Sequence, residues 1–153
     1  MPDLFVYGTL LIPAVWTRVT GRPLPPGRDA VLPRHRRRTV QGQCYPGMVP
    51  DPREDVAGRL YLGVEQATLV KLDAYEGSSY RRVRLAVLVA GRKRPAETWL
   101  FVPGAGGRLG PQPWSPDLVR DLDALCGPAP AAPTPPPGPG PVPDTMRTAK
   151  LGG

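Results

Sequence analysis

Tyr80-Arg81-Arg82-Val83-Arg84-Leu85-Ala86-Val87-Leu88-Val89-Ala90 carries apolar side chains at every second position: Val83, Leu85, Val87 and Val89. A period of two is that of a β-strand with one face toward a core. Gly91-Arg92-Lys93-Arg94-Pro95 then reads as a hairpin loop, and Ala96 to Val102, with Trp99 and Phe101, as the return strand. Strands joined this closely pair antiparallel, because a parallel neighbour needs a long crossover.

On the N-terminal side of this hairpin the period changes. Val64 to Glu76 places Leu69, Leu72 and Tyr75 near one stripe, with Glu65, Lys71 and Asp73 elsewhere, which predicts an amphipathic helix. Gly77 follows it, where a helix end favours the left-handed conformation. Val56 to Leu62 reads as another strand, and Ala30 to Tyr45 as one or two antiparallel strands with an exposed basic face. Pro46-Gly47 and Pro50-Asp51-Pro52 read as turns. Leu4-Phe5-Val6-Tyr7 is continuously apolar, the mark of a short strand buried on both faces, and it stops at Gly8. Leu11 to Thr20 has room for a short helix, and Pro23, Pro25 and Pro26 enforce a loop after it. Ser115-Pro116-Asp117 opens a last amphipathic helix through Leu118, Val119, Leu122 and Leu125. Many strands, few crossovers and few helices predict an α+β fold: a small mixed, mostly antiparallel β-barrel with flanking helices.

The 153 residues include 23 prolines, many of them between Pro128 and Pro143. Proline lacks a backbone donor, and this run has no large apolar side chains to offset the entropy of ordering. The expected organisation is a folded domain over 1–126 and a disordered proline-rich tail over 127–153. The net charge is +7, with Arg34-His35-Arg36-Arg37-Arg38 its densest run. No aromatic residues interleave with it as a single-strand nucleic-acid platform requires, so a solvated strand face is expected and no nucleic-acid partner. Neither a basic, then apolar leader nor an apolar run of membrane-spanning length occurs, so a cytoplasmic protein without membrane association is expected.

The chemistry available is narrow. One histidine, His35, sits among arginines, and Cys44 and Cys126 are isolated, so no metal ligand set and no Ser-His-Asp arrangement is in view. What remains is the strand-end turn Tyr7-Gly8-Thr9-Leu10, whose amides can face an anion, and Glu76 at a helix C-terminus. The helix dipole is negative there, which disfavours an anion and raises the proton affinity of a carboxylate.

Phe5-Val6-Tyr7-Gly8-Thr9-Leu10, Pro46-Gly47, Gly58-Arg59-Leu60-Tyr61 and Leu72-Asp73-Ala74-Tyr75-Glu76-Gly77-Ser78-Ser79-Tyr80-Arg81-Arg82, in this order, resemble the gamma-glutamylcyclotransferase-like family. The resemblance spans roughly residues 3–102. It implies a barrel with a pocket at its end and an enzyme that releases 5-oxoproline and a free amine from a gamma-glutamyl amide. It further implies Glu76 as catalytic acid/base, with Tyr7, Gly8, Thr9, Leu10 and Tyr80 against the substrate. No cofactor is called for, the partner is a small gamma-glutamyl compound, and a monomer or weak dimer is expected. The alternative is a non-catalytic module of the same fold that binds a small ligand or a partner.

Overall fold

Alternation along the first strand organises the protein. The computed structural model describes residues 1–105 and 107–122. In β1 (Leu4–Val6), Leu4 and Val6 enter one apolar cluster while Phe5 and the following Tyr7 enter another. One cluster gathers strand residues such as Leu32, Met48, Leu60 and Val87 inside a barrel. The other seals the outside of the barrel with Val15 and Trp16 of α1 (Pro13–Thr20) and Leu69 and Leu72 of α2 (Gln66–Glu76). A strand between two apolar layers has no face left for water, hence its unbroken apolar run.

The remaining strands are β2 (Gly27–Thr39), β3 (Pro46–Tyr61), β4 (Tyr80–Val89) and β5 (Arg92–Phe101). They close in the order β1-β3-β2-β4-β5, with β1 parallel to β5 through Leu4↔Glu97 and every other pairing antiparallel. The α+β class and the mixed, mostly antiparallel barrel are therefore as expected. β1 can approach β3 closely because Gly58 carries no side chain: a β-carbon there would overlap the Val6 carbonyl oxygen and lie 2.9 Å from the Phe5 ring.

Four expected boundaries are corrected. Pro46-Gly47 is not a turn: the two residues open β3, paired with Thr39 and Arg38, and the chain turns before them. The β4–β5 connection is only Ala90-Gly91, both with positive φ (51° and 78°), so Arg92 to Pro95 pair with Val89 to Ala86 instead of looping. A two-residue turn of this kind matches the twist of the hairpin. Alternate pairs of an antiparallel ladder exchange no hydrogen bonds, so a strand can carry Pro95 without losing one. Pro50-Asp51-Pro52 does not end a strand either. β3 runs through it, with the register against β2 slipping between Pro33 and His35. Arg34 adopts φ 61° at the slip, and buried Asp51 takes the Arg53 amide at 2.9 Å. The segment is an excursion within one long strand. At the C-terminal end, Ser115 caps only a single turn, Pro116–Leu118, after which Val119 is extended, so the expected helix does not run on from it. Leu125, Cys126 and the proline-rich segment lie outside the described residues. No helix among the described residues is long and apolar enough to cross a membrane.

Candidate active site

Where β1 ends, the chain turns through Gly8 into one turn of 3-10 helix, Thr9–Leu11. Glycine is required by a close approach: a β-carbon on Gly8 would lie 2.9 Å from the Pro46 ring. The turn spends the Leu11 and Ile12 amides on the Gly8 and Thr9 carbonyls, at 2.9 and 3.0 Å. The amides of Gly8, Thr9 and Leu10 have no acceptor among the described residues. Arg37 steadies the strand end from behind, donating to the Tyr7 carbonyl at 2.7 Å while stacked 5.7 Å from the Trp114 ring centroid.

Opposite this turn α2 finishes at Glu76. Gly77 (φ 70°) ends the helix and returns its amide to the Asp73 carbonyl. The neighbouring Tyr75 shares a 2.8 Å hydrogen bond with the Thr9 hydroxyl, which fastens the helix end to the turn. Tyr80, the first residue of β4, donates its hydroxyl to the Pro46 carbonyl at 2.6 Å and packs edge-on against Phe101. Between these groups lies a cavity of about 230 Å³.

All six residues named from the sequence line this cavity: Tyr7, Gly8, Thr9, Leu10, Glu76 and Tyr80. Their contributions differ. The Tyr7 hydroxyl is spent on the Trp99 carbonyl at 2.6 Å, so it braces the wall. Leu10 is 3% exposed and belongs chiefly to the outer core. Tyr45, Pro46, Tyr75, Ser79 and Trp99 complete the lining. Of these, the sequence marks Tyr45 and Trp99 only as strand residues; Trp99 is one, in β5, while Tyr45 lies just before β3. Barrel closure brings them to the site, and no local periodicity marks such a contact.

Glu76 is the chemically distinctive member. It lies within the protein body, with no hydrogen-bond or ion-pair partner among the described residues, and no arginine, lysine or histidine lines the cavity. Burial, and secondarily the negative charge of Asp73, pushes its carboxyl up to about 8. Desolvation penalises the charged form, and nothing here offsets it. Burial also raises the Tyr7 and Tyr80 phenols, so both stay neutral.

The basic run is elsewhere and largely engaged, where a solvated face was expected. Arg36 pairs with Asp51, Arg38 makes a two-pronged pair with Glu54 at 2.9 and 2.6 Å, and Arg37 holds Tyr7. His35 lies with its ring nitrogen 3.0 Å from the Pro33 carbonyl and does not reach the cavity. Among the described residues, no three His, Cys, Asp or Glu side chains gather as a metal set.

A barrel closed by a parallel β1–β5 contact, with a half-buried carboxylate lining the same cavity as a glycine turn, defines a class of protein with known relatives. The profile of the gamma-glutamyl cyclotransferase, AIG2-like family matches residues 4–116, and the chain belongs to that family. AIG2-like protein A of Arabidopsis thaliana is 35% identical over 102 residues, 65% of this chain and 61% of that protein. AIG2-like protein B of the same plant is 28% identical over 118 residues, 73% and 68% of the two chains. The first of these shows the general proportion: the chain spans about three-fifths of the length of several curated relatives it matches. Among solved structures, an Arabidopsis thaliana protein determined in solution superposes with a TM-score of 0.61 at 29% identity, covering 78% of this chain and 75% of that one. A gamma-glutamyl cyclotransferase superposes with a TM-score of 0.57 at 18% identity over 66% of each chain, a likeness of fold.

Proposed function

We propose that this chain is a gamma-glutamyl cyclotransferase that works through Glu76. The observation that carries the reading is a carboxylate that has no counter-ion among the described residues, in the same cavity as three turn residues whose amides have no acceptor there either.

In the reaction, the α-amine of a gamma-glutamyl amide attacks its own γ-carbonyl carbon. A C–N bond closes the five-membered ring, the bond to the leaving amine breaks, and the products are 5-oxoproline and that amine. No water is consumed. Confinement in a small cavity holds the flexible glutamyl chain in its cyclised shape, which replaces an entropic cost of reaction by binding. Glu76 takes the proton from the attacking ammonium and returns it to the departing nitrogen. A carboxyl with an affinity near 8 suits this exchange, because a general acid/base works best when its proton affinity lies near the operating pH. The amides of Gly8, Thr9 and Leu10 receive the substrate carboxylate or the developing oxyanion. The Thr9 and Ser79 hydroxyls add polar partners.

Two results are expected. The kcat/KM for 5-oxoproline formation should climb with pH until about 8, because Glu76 must be ionised to accept a proton; a plateau already reached at about pH 6 would contradict the role. Gly8→Ala should push against the Pro46 ring and shift the turn. The expected outcome is a KM raised roughly tenfold with the fold intact, since one polar contact of this kind is worth about 1–2 kcal/mol. Steady-state kinetics and a circular dichroism melt check both halves.

A further inference from the structure

Asp73 stands one helical turn before Glu76, and its side chain is held outside the cavity by two elements of the barrel. Its Oδ1 accepts the Trp99 indole N–H at 3.0 Å, and its Oδ2 lies 3.2 Å from the Arg82 guanidinium. Arg82 is itself fixed, with its other nitrogen donating to Glu97 at 2.8 Å. Trp99 is both the partner of Asp73 and a wall of the cavity, and its carbonyl receives the Tyr7 hydroxyl. The Asp73 carbonyl takes the Gly77 amide that ends α2. One residue thus ties the helix end to β4, to β5 and to its own cap.

We infer that Asp73, held by Trp99 and Arg82, is the positioning residue of Glu76: it fixes the last turn of α2 against the barrel and stands as a second carboxylate one helical turn from Glu76. This rests on the reading of Glu76 as acid/base. Asp73 acts on that carboxylate from the preceding turn of α2, and the titratable or hydroxyl groups that share its cavity are Tyr75 from α2, Tyr7 just after β1, Tyr80 from β4, and Tyr45, Thr9 and Ser79. Asp73 is the one carboxylate among them; the rest are phenols or hydroxyls. Asp73 therefore supplies the local field, and Arg82, drawn toward both Asp73 and Glu97, moderates it. The relation predicts shifts of opposite sign for the two partners, which a merely structural role does not.

The test is the ionisation midpoint of Glu76 in the full chain, read from 13C-labelled glutamate side-chain carboxyls by NMR titration and assigned by the signal lost in Glu76→Gln. Asp73→Asn keeps an acceptor for Trp99 and removes the charge. It should weaken proton binding by Glu76 roughly three- to tenfold, allowing for the partial exposure of Asp73. Arg82→Gln should move the midpoint in the other direction, and the acid limb of kcat/KM should follow in both. Midpoints unmoved in both variants, whatever their activity, would overturn the inference. Midpoints that move as expected in a protein releasing no 5-oxoproline would uphold the role of Asp73 and remove the cyclisation reading instead.

Discussion

Glu76→Gln is expected to reduce 5-oxoproline release by about 10²–10⁴-fold while leaving the barrel folded, the usual span for loss of a general acid/base. Glutamine fills the same space and cannot accept the proton of the substrate ammonium. The same variant carries a second signature in stability. Burial raises the folded-state affinity of Glu76 to about 8 from an ordinary 4.5, so the folded protein binds the proton more tightly than the unfolded chain. Stability from this group is complete below the lower value and is lost as pH rises through the upper one. Near pH 9 the variant should be more stable than the parent by roughly 2–4 kcal/mol, and near pH 4 the difference should vanish. Thermal melts across this range check it. A variant that loses activity and also melts earlier at alkaline pH would mean that Glu76 holds the structure together rather than straining it.

Gly58→Ala is expected to be the most damaging small change to the fold. The added methyl would be driven into the Val6 carbonyl, and relief requires moving β1, the strand that sits between the two cores and pairs with both β3 and β5. Overpacking against side chains typically costs about 1–3 kcal/mol, and a backbone oxygen yields less readily, so a loss of about 3 kcal/mol or more follows. Urea unfolding measures it. A loss below about 1 kcal/mol would show that β1 can slide, and with it the turn that opens the site. Gly21, which ends α1 with a φ of 72° and open space around it, should lose much less on the same replacement, through backbone strain alone.

The parts of this architecture that sequence carries are those governed by local period. Val83 to Val89 at every second position, the continuous Leu4 to Tyr7 run and the Leu69–Leu72 stripe each state which faces are buried, and the described residues obey them. Gly77 marked the helix end that presents Glu76, and the Tyr-Gly-Thr-Leu turn marked the facing wall. What stayed hidden depends on contacts distant in the chain. Ala90 takes a left-handed turn position that glycine or asparagine would have advertised, so the hairpin loop read too long. Asp51 stabilises an excursion inside β3 by accepting the Arg53 amide with its side chain, which makes two prolines look like a turn. Arg36 and Arg38 find partners because β2 lies against β3, and Arg37 because the end of β1 and Trp114 lie beside it. Trp99 reaches Tyr7 and Asp73 from positions 92 and 26 residues away, and only closure of the barrel joins them.

The most direct measurement is release of 5-oxoproline from a panel of gamma-glutamyl amides by the full chain at about pH 8, with the freed amine counted alongside. At least one compound should yield the two products in equal amounts, and Glu76→Gln should yield neither above background. Release by the variant at the parent rate, or no product from any member of the panel by a folded parent, would contradict this reading.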